Sequence, residues 1–237
     1  MAALTRAVSR GLTFSRGFTL TEMAVVLVIV ALLIAGMMIP LSAQQDIRLR
    51  QEADRTLADI REALLGYAAS HTASDGKPYL PCPDVGDDGV EDRAATPGAC
   101  SSQEGRIPWV TLGMARLDPW NNRYRYRVSA AFSNSAVGFT LTSAGDLTVC
   151  ADSTACAGST VASAVPAVVL SHGPNGAGAF DTKGGSNAAP TGADELENTN
   201  LDATFVSKTS DAAFDDIVTW IPPTVLVNRM ITTGKLP

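Results

Sequence analysis

Hydrophobic and polar positions change character twice in the first seventy residues of this chain. From Phe18 to Ile39 the side chains are apolar, small or hydroxylated, and Glu22 carries the one charge. About 20 such residues in a helix span the ~30 Å hydrocarbon core of a bilayer, so a membrane-crossing helix is predicted over 18–40. From Leu41 to Ser70 the pattern becomes amphipathic. Ala53, Leu57, Ile60, Leu64 and Tyr67 recur at three- and four-residue intervals, while Arg48, Arg50, Glu52, Asp54, Arg55, Asp59, Arg61 and Glu62 occupy the other faces. Continuous with the apolar run, this helix would extend roughly 80 Å at 1.5 Å per residue, with Pro40 placed to bend it. Its first half suits lipid or other helices, and its second half suits one stripe laid on a sheet.

After Ser70 the period shortens. Residues 71–105 read as a loop, acidic through Asp84, Asp87, Asp88, Glu91 and Asp92. The run Asp84 to Glu91 superficially suggests a calcium loop, but it lacks the twelve-residue pattern and final glutamate of an EF-hand, which leaves a solvated loop tied down by a disulfide. The Asn121-Asn122 pair suits a turn, and strict alternation follows: Tyr124, Tyr126 and Val128 face one way, Arg123, Arg125 and Arg127 the other. The basic side reads as a solvated sheet face paired with acidic neighbours; the alternative is a docking site for an acidic subunit or a DNA backbone. Further strands are predicted over 138–142, 147–149, 167–171 and 214–221. Residues 173–213 form a surface excursion with little periodicity, and a closing helix over 224–231 ends near Gly234. The expected fold is α+β, a long N-terminal helix packed on a small antiparallel sheet of about four strands.

The start of the apolar run carries the most specific signal. An ionisable group inside a membrane helix costs roughly 2.5–3.5 kcal/mol, so Glu22 needs a partner. If the chain is cut after Gly17, Phe18 becomes a free N-terminus four residues away, about one helical turn. Its α-amine, or that of a neighbouring copy, answers the carboxylate and sets the register between subunits. The leader holds Arg6, Arg10 and Arg16 and no acidic residue, which keeps it cytoplasmic and sends the rest of the chain outward. A secretory signal peptide fits poorly, because the apolar run is too long and lacks a small-x-small site.

Arg16-Gly17-Phe18-Thr19-Leu20-Thr21-Glu22 followed by an apolar helix resembles the type IV prepilin and pseudopilin family. The resemblance implies cleavage between Gly17 and Phe18 by a prepilin peptidase, N-methylation of Phe18, assembly through the exposed helix with Glu22, and a pilin-like fold. Two positions depart from the family pattern. Pro40 lies eighteen residues after Glu22, one later than usual, and the mid-helix glycine is displaced to Gly36. The domains implied are a leader at 1–17, an assembly helix at 18–40, an amphipathic helix at 41–70 and a periplasmic globular domain at 71–237.

Charge and cysteine content narrow the partners. The chain has 18 basic and 24 acidic residues; without the leader's three arginines the balance is 15 against 24, a net of −9. Phosphate contacts need clustered Lys and Arg, so nucleic acid is an unlikely partner. Cys82, Cys100, Cys150 and Cys156 all follow the predicted membrane helix. An even count in an oxidising compartment reads as two disulfides, and proximity favours Cys82–Cys100 and Cys150–Cys156 among the three pairings possible. Zinc is disfavoured, since no Cys-x-x-Cys occurs and His71 and His172 lie far from the cysteines.

Three further stretches resemble the globular domain of the major pseudopilin of type II secretion. Asp118-Pro119-Trp120-Asn121-Asn122-Arg123-Tyr124 matches a segment entering that family's sheet, with Asn121 replacing a glycine. Ser171-His172-Gly173-Pro174-Asn175-Gly176 and Asp215-Asp216-Ile217-Val218-Thr219-Trp220 match its loop and the acidic residues before a tryptophan. The resemblance implies a structural calcium ion held by the carbonyls of Leu170 and Ser171, the Asn175 amide and the carboxylate of Asp215 or Asp216. Asn175 stands where that loop has an aspartate, which removes one negative charge, so a metal-free loop is the alternative.

No Gly-x-Ser-x-Gly, nucleotide-binding glycine loop or nucleophile–histidine signature occurs, so the chain reads as a non-enzyme. The expected function is a structural subunit of a type IV pilus or a type II secretion pseudopilus. It would sit in the inner membrane with a periplasmic C-terminal domain, and its partners would be other pilins or pseudopilins, the prepilin peptidase/methyltransferase and an assembly platform. The alternative is a tip-located minor pilin whose long loops bind a surface, a substrate or DNA.

Overall fold

A computed structural model describes residues 17–154, 156 and 158–237; within the long helix the side chains of residues 36–43 are excluded. The leader, with Arg6, Arg10 and Arg16, lies outside the described residues, as do the side chains on which the readings of Gly36 and Pro40 fall. The chain divides into two compact units, one ending at Asp46 and one running from Ile47 to Pro237.

Helix α1 covers Leu20–Ser70. Within the first unit its described apolar side chains, including Leu20, Val25, Leu27, Val28, Leu32 and Leu33, are all exposed. A contiguous apolar surface of that kind marks contact with a membrane or with other proteins. Among the described residues no helix is long and apolar enough to cross a membrane.

In the second unit the predicted stripe is buried: Ala53, Leu57, Ile60, Leu64 and Tyr67, joined by Leu65 and Ala68. Removing each large apolar side chain from water contributes about 1.5–3 kcal/mol, which fixes this part of α1 to the layer beneath. That layer is a four-stranded antiparallel sheet of β1 (Glu104–Arg106), β2 (Arg125–Val128), β5 (Ala167–Ser171) and β7 (Ile217–Ile221), in the order β1-β2-β5-β7. Tyr124, Tyr126, Val128, Ala167, Val169 and Ile221 form one core with Leu57, Ile60, Leu64, Leu65 and Ala68 of α1 and with Leu226 and Met230 of α5 (Pro223–Thr232), while the one-turn helices α2 (Trp109–Leu112) and α3 (Ala130–Ser133) precede and follow β2 in the chain. The protein is therefore α+β, a helix packed on an antiparallel sheet, consistent with a pilin-like fold.

A third layer lies on the opposite face of this sheet. Strands β3 (Leu147–Cys150), β4 (Thr160–Val165) and β6 (Thr204–Val206) form a second sheet in the order β4-β3-β6, with β3 and β6 parallel. Leu147, Val149, Val165 and Phe205 pack there against Val168, Leu170, Val218 and Trp220. Every residue of β5 is consequently buried, as its unbroken apolar run requires.

Three sequence expectations are corrected. Residues 138–142 form no strand: Phe139 is buried against Phe132 with ring centroids 4.9 Å apart, and Thr140, Thr142 and Ser143 bond one another and nearby backbone. Such local hydroxyl bonds compete with a ladder. Residues 173–213 are not a loose surface excursion, since they supply helix α4 (Ala193–Glu197), strand β6 and the buried Phe205 and Asn198. The arginine face running from Arg123 into β2 has the acidic neighbours expected of it, Asp87 and Glu104, but it is not solvated: Arg123 and Arg125 are 1% and 4% exposed, and Arg127 is half-buried. Phe180, from the supposed excursion, stacks on Arg106 and Arg125 at 4.4 and 4.8 Å, and Trp109 on Arg116 and Arg123 at 5.2 and 4.7 Å. A planar, weakly hydrated guanidinium tolerates burial on an aromatic face where an ammonium would not.

Candidate functional site

The start of α1 is built from Thr19 and Glu22. The Glu22 carboxylate accepts from the Thr19 backbone N–H and from the Thr19 hydroxyl, both at 2.8 Å, while Thr19 Oγ1 accepts the Glu22 N–H at 3.2 Å. This is a capping box, Thr-x-x-Glu, in which two of the helix's orphan donors are satisfied reciprocally. The Thr-x-x-Glu spacing is present in the sequence, from which Glu22 was expected to pair with an α-amine, its own or a neighbouring copy's, rather than with Thr19. Glu22 and Phe18 are exposed, Phe18 at 80%, and among the described residues nothing crowds Gly17.

The acidic loop after β-strand-free residues 71–83 has its carboxylates engaged internally. Asp84 accepts the N–H groups of Asp87 and Gly89, and Asp92 those of Val85 and Gly86. Asp87 pairs with Arg123 at 2.8 Å and Arg106 at 3.4 Å. Asp84, Asp87 and Asp92 thus find their partners in backbone N–H groups and arginines of the chain itself. Cys82–Cys100 and Cys150–Cys156 are the disulfides, with Cα separations of 5.3 and 5.1 Å.

A different acidic group gathers at one end of the four-stranded sheet. Asp215 and Asp216 directly precede β7, Glu195 lies on α4, and their oxygens fall within 4.8 Å of one another. Glu195 had no sequence signal, being twenty residues from Asp215 in a segment read as unstructured. The turn after β5 reaches the group through Gly173, whose φ of +60° and contact with the Asp215 backbone carbonyl leave no room for a side chain. Asn175 follows: its backbone N–H donates to Asp215 Oδ2 at 3.0 Å, and its side-chain nitrogen donates to Glu195 Oε1 and Oε2 at 3.0 and 3.3 Å. Asp216 accepts from His172 Nδ1 at 3.2 Å and from Asn198 Nδ2 at 2.8 Å. Leu170 and Ser171 lie in β5, between β2 and β7, and the Ser171 hydroxyl donates to Asp118 at 2.6 Å.

Three carboxylates thus converge with no lysine or arginine hydrogen-bonded to any of them among the described residues. Asp215 Oδ1 is buried without a hydrogen-bond partner. Burial, reinforced by Glu195 and Asp216, pushes the Asp215 carboxyl up to about 6. An all-oxygen donor set with an orphaned carboxylate oxygen fits a hard cation, which prefers such ligands to nitrogen or sulfur.

Comparison with known proteins bears on the other end of the chain. Residues 12–38 match the prokaryotic N-terminal methylation motif, the signature of type IV prepilin-like proteins. No curated protein and no solved structure matches the chain.

Proposed function

We propose that this chain is a pilin-like structural subunit. The observation that carries the reading is the methylation motif at residues 12–38, overlapping a helix whose described apolar side chains are exposed from Leu20 to Ile34. The precursor is stored in the inner membrane by residues 18–40, cut after Gly17, methylated at Phe18 and drawn through that helix into a type IV pilus or a type II secretion pseudopilus. Residues 41–70 and 71–237 then form the periplasmic body. Other pilins, the prepilin peptidase/methyltransferase and an inner-membrane platform are the partners. Glu22 exchanges its bond to the Thr19 N–H for a subunit α-amine during assembly. The tip-located binding module has less support, because residues 173–213 contribute buried Phe205, Val206 and Asn198 to the fold. Glu195, Asp215 and Asp216, with nearby backbone carbonyls, hold a structural calcium ion that clamps α4 and the 173–178 turn to the start of β7.

Mass spectrometry of sheared filaments tests the main reading, with a mature chain beginning at methylated Phe18 as the expected product. Recovery of that chain only from inner membranes would select the pseudopilus, and an uncleaved chain would overturn the pilin reading. In the same assay Glu22→Ala is expected to be processed almost normally but depleted from filaments several-fold. Normal incorporation would remove the charge-pairing mechanism.

A further inference from the structure

His172 is completely buried between two charged groups of opposite sign, and the geometry decides which of its nitrogens bears the proton. Arg125 engages all three guanidinium nitrogens: one Nη donates to Glu104 Oε1 at 2.6 Å, the other to the Gly178 carbonyl at 2.8 Å, and Nε to His172 Nε2 at 3.0 Å. A guanidinium has donors only, so His172 Nε2 accepts. In the neutral ring the proton therefore sits on Nδ1, where it faces Asp216 Oδ1 at 3.2 Å. Asn198 donates to the other Asp216 oxygen at 2.8 Å, and the same amide brackets β6 by accepting the Val206 N–H and donating to the Val206 carbonyl. Asp216 is thereby gripped from behind at both oxygens, and each oxygen keeps a lone pair.

We infer that Arg125 and His172 are positioning residues for the cation held by Glu195, Asp215 and Asp216. Arg125 sets the histidine tautomer, the histidine orients Asp216, and Asp216 meets the ion. Partners that orient a ligand in this way are worth about 10–100-fold in metal affinity. Arg125 of β2 thus has a task besides packing, because through His172 it backs the Asp216 side of the acidic cluster. The inference rests on the calcium reading above, and its test separates the two.

The full chain in detergent, stripped with EDTA, is titrated with calcium chloride by calorimetry, and its melting temperature in EDTA is recorded alongside. Wild type is expected to bind; His172→Leu should weaken binding about 10–100-fold. His172→Gln should recover most of the loss, since a carboxamide offers an acceptor to Arg125 and a donor to Asp216. Binding by His172→Leu within about twofold of wild type, or a glutamine variant as weak as the leucine one, overturns the inference alone. Absence of calcium binding by wild type overturns the cation reading on which it stands. Should His172→Leu fail to fold, nitrogen-15 spectra of the wild-type imidazoles decide, and with two histidines in the chain the assignment is direct. The Nδ1–H form is expected for His172, and the Nε2–H form would overturn the relay.

Discussion

Replacing Glu104 by alanine is expected to destabilise the globular unit by about 3–5 kcal/mol, because it leaves buried guanidinium groups uncompensated. Glu104 is 7% exposed and bridges two arginines, Arg125 at 2.6 Å and Arg127 at 3.1 Å. Arg125 retains the Gly178 carbonyl and His172, neither of which carries a negative charge, and Arg127 retains the Leu201 carbonyl. None of these offsets a whole charge in a low-dielectric interior. For a unit of this size the loss corresponds to a drop on the order of 10 °C in melting temperature, read by circular dichroism on the full chain. Glu104→Leu combined with Arg125→Leu should recover part of the loss, because an apolar pair of similar volume avoids the desolvation of both ions. A change below about 1 kcal/mol for Glu104→Ala is what a solvated ion pair would give. That outcome would contradict the buried arginine face and restore the reading drawn from alternation alone.

That misreading shows where local pattern stops informing. Alternation from Arg123 to Val128 correctly separated the tyrosines from the arginines, and the tyrosines do face α1. It could not say what covered the other side, because the cover is Phe180 and a sheet drawn from strands far apart in sequence. A row of arginines looks alike whether it meets water or aromatic rings. Elements whose period and burial agree were legible: the α1 stripe, β5, β7 and α5 lie where periodicity placed them, within a residue or a few at their ends. Strands β1, β4 and β6 were not: β1 and β6 are three residues each, too short to show a period, and β4 is rich in small residues and is defined by its pairing with β3. The acidic cluster was half legible. Asp215 and Asp216 stand out before a strand, whereas Glu195 joins them only because α4 packs beside β6. Asn175 was read as an oxygen ligand, and in the structure its nitrogen faces Glu195 while its oxygen accepts the Ala177 N–H at 2.7 Å.

Calcium is expected to raise the melting temperature by several degrees at pH 7.5, and Asp215→Asn should remove most of that rise. A ligand at 100 times its dissociation constant stabilises by about 2.7 kcal/mol, or roughly 5–10 °C for a unit of this size. The sign of the pH dependence follows from the direction of the shift. The ordinary value of the Asp215 carboxyl is 3.8, and burial, then Glu195 and Asp216, raise it to about 6, with Arg50 and the Asn175 N–H opposing. A folded value above the unfolded one means that protonated Asp215 favours the folded state. That contribution is present in full below pH 3.8 and is lost as pH rises through about 6. In EDTA, then, wild type should lose stability relative to Asp215→Asn as pH goes from 5 to 7.5, because the variant carries no charge there. With calcium the order reverses at pH 7.5, since the ion takes the place of the proton and only wild type offers the full carboxylate set. The calcium-induced rise in wild type should shrink below pH 6, where protons compete for Asp215. A rise of equal size in Asp215→Asn, or a wild type that gains on the variant with pH in EDTA, would show that the three carboxylates do not act together on an ion.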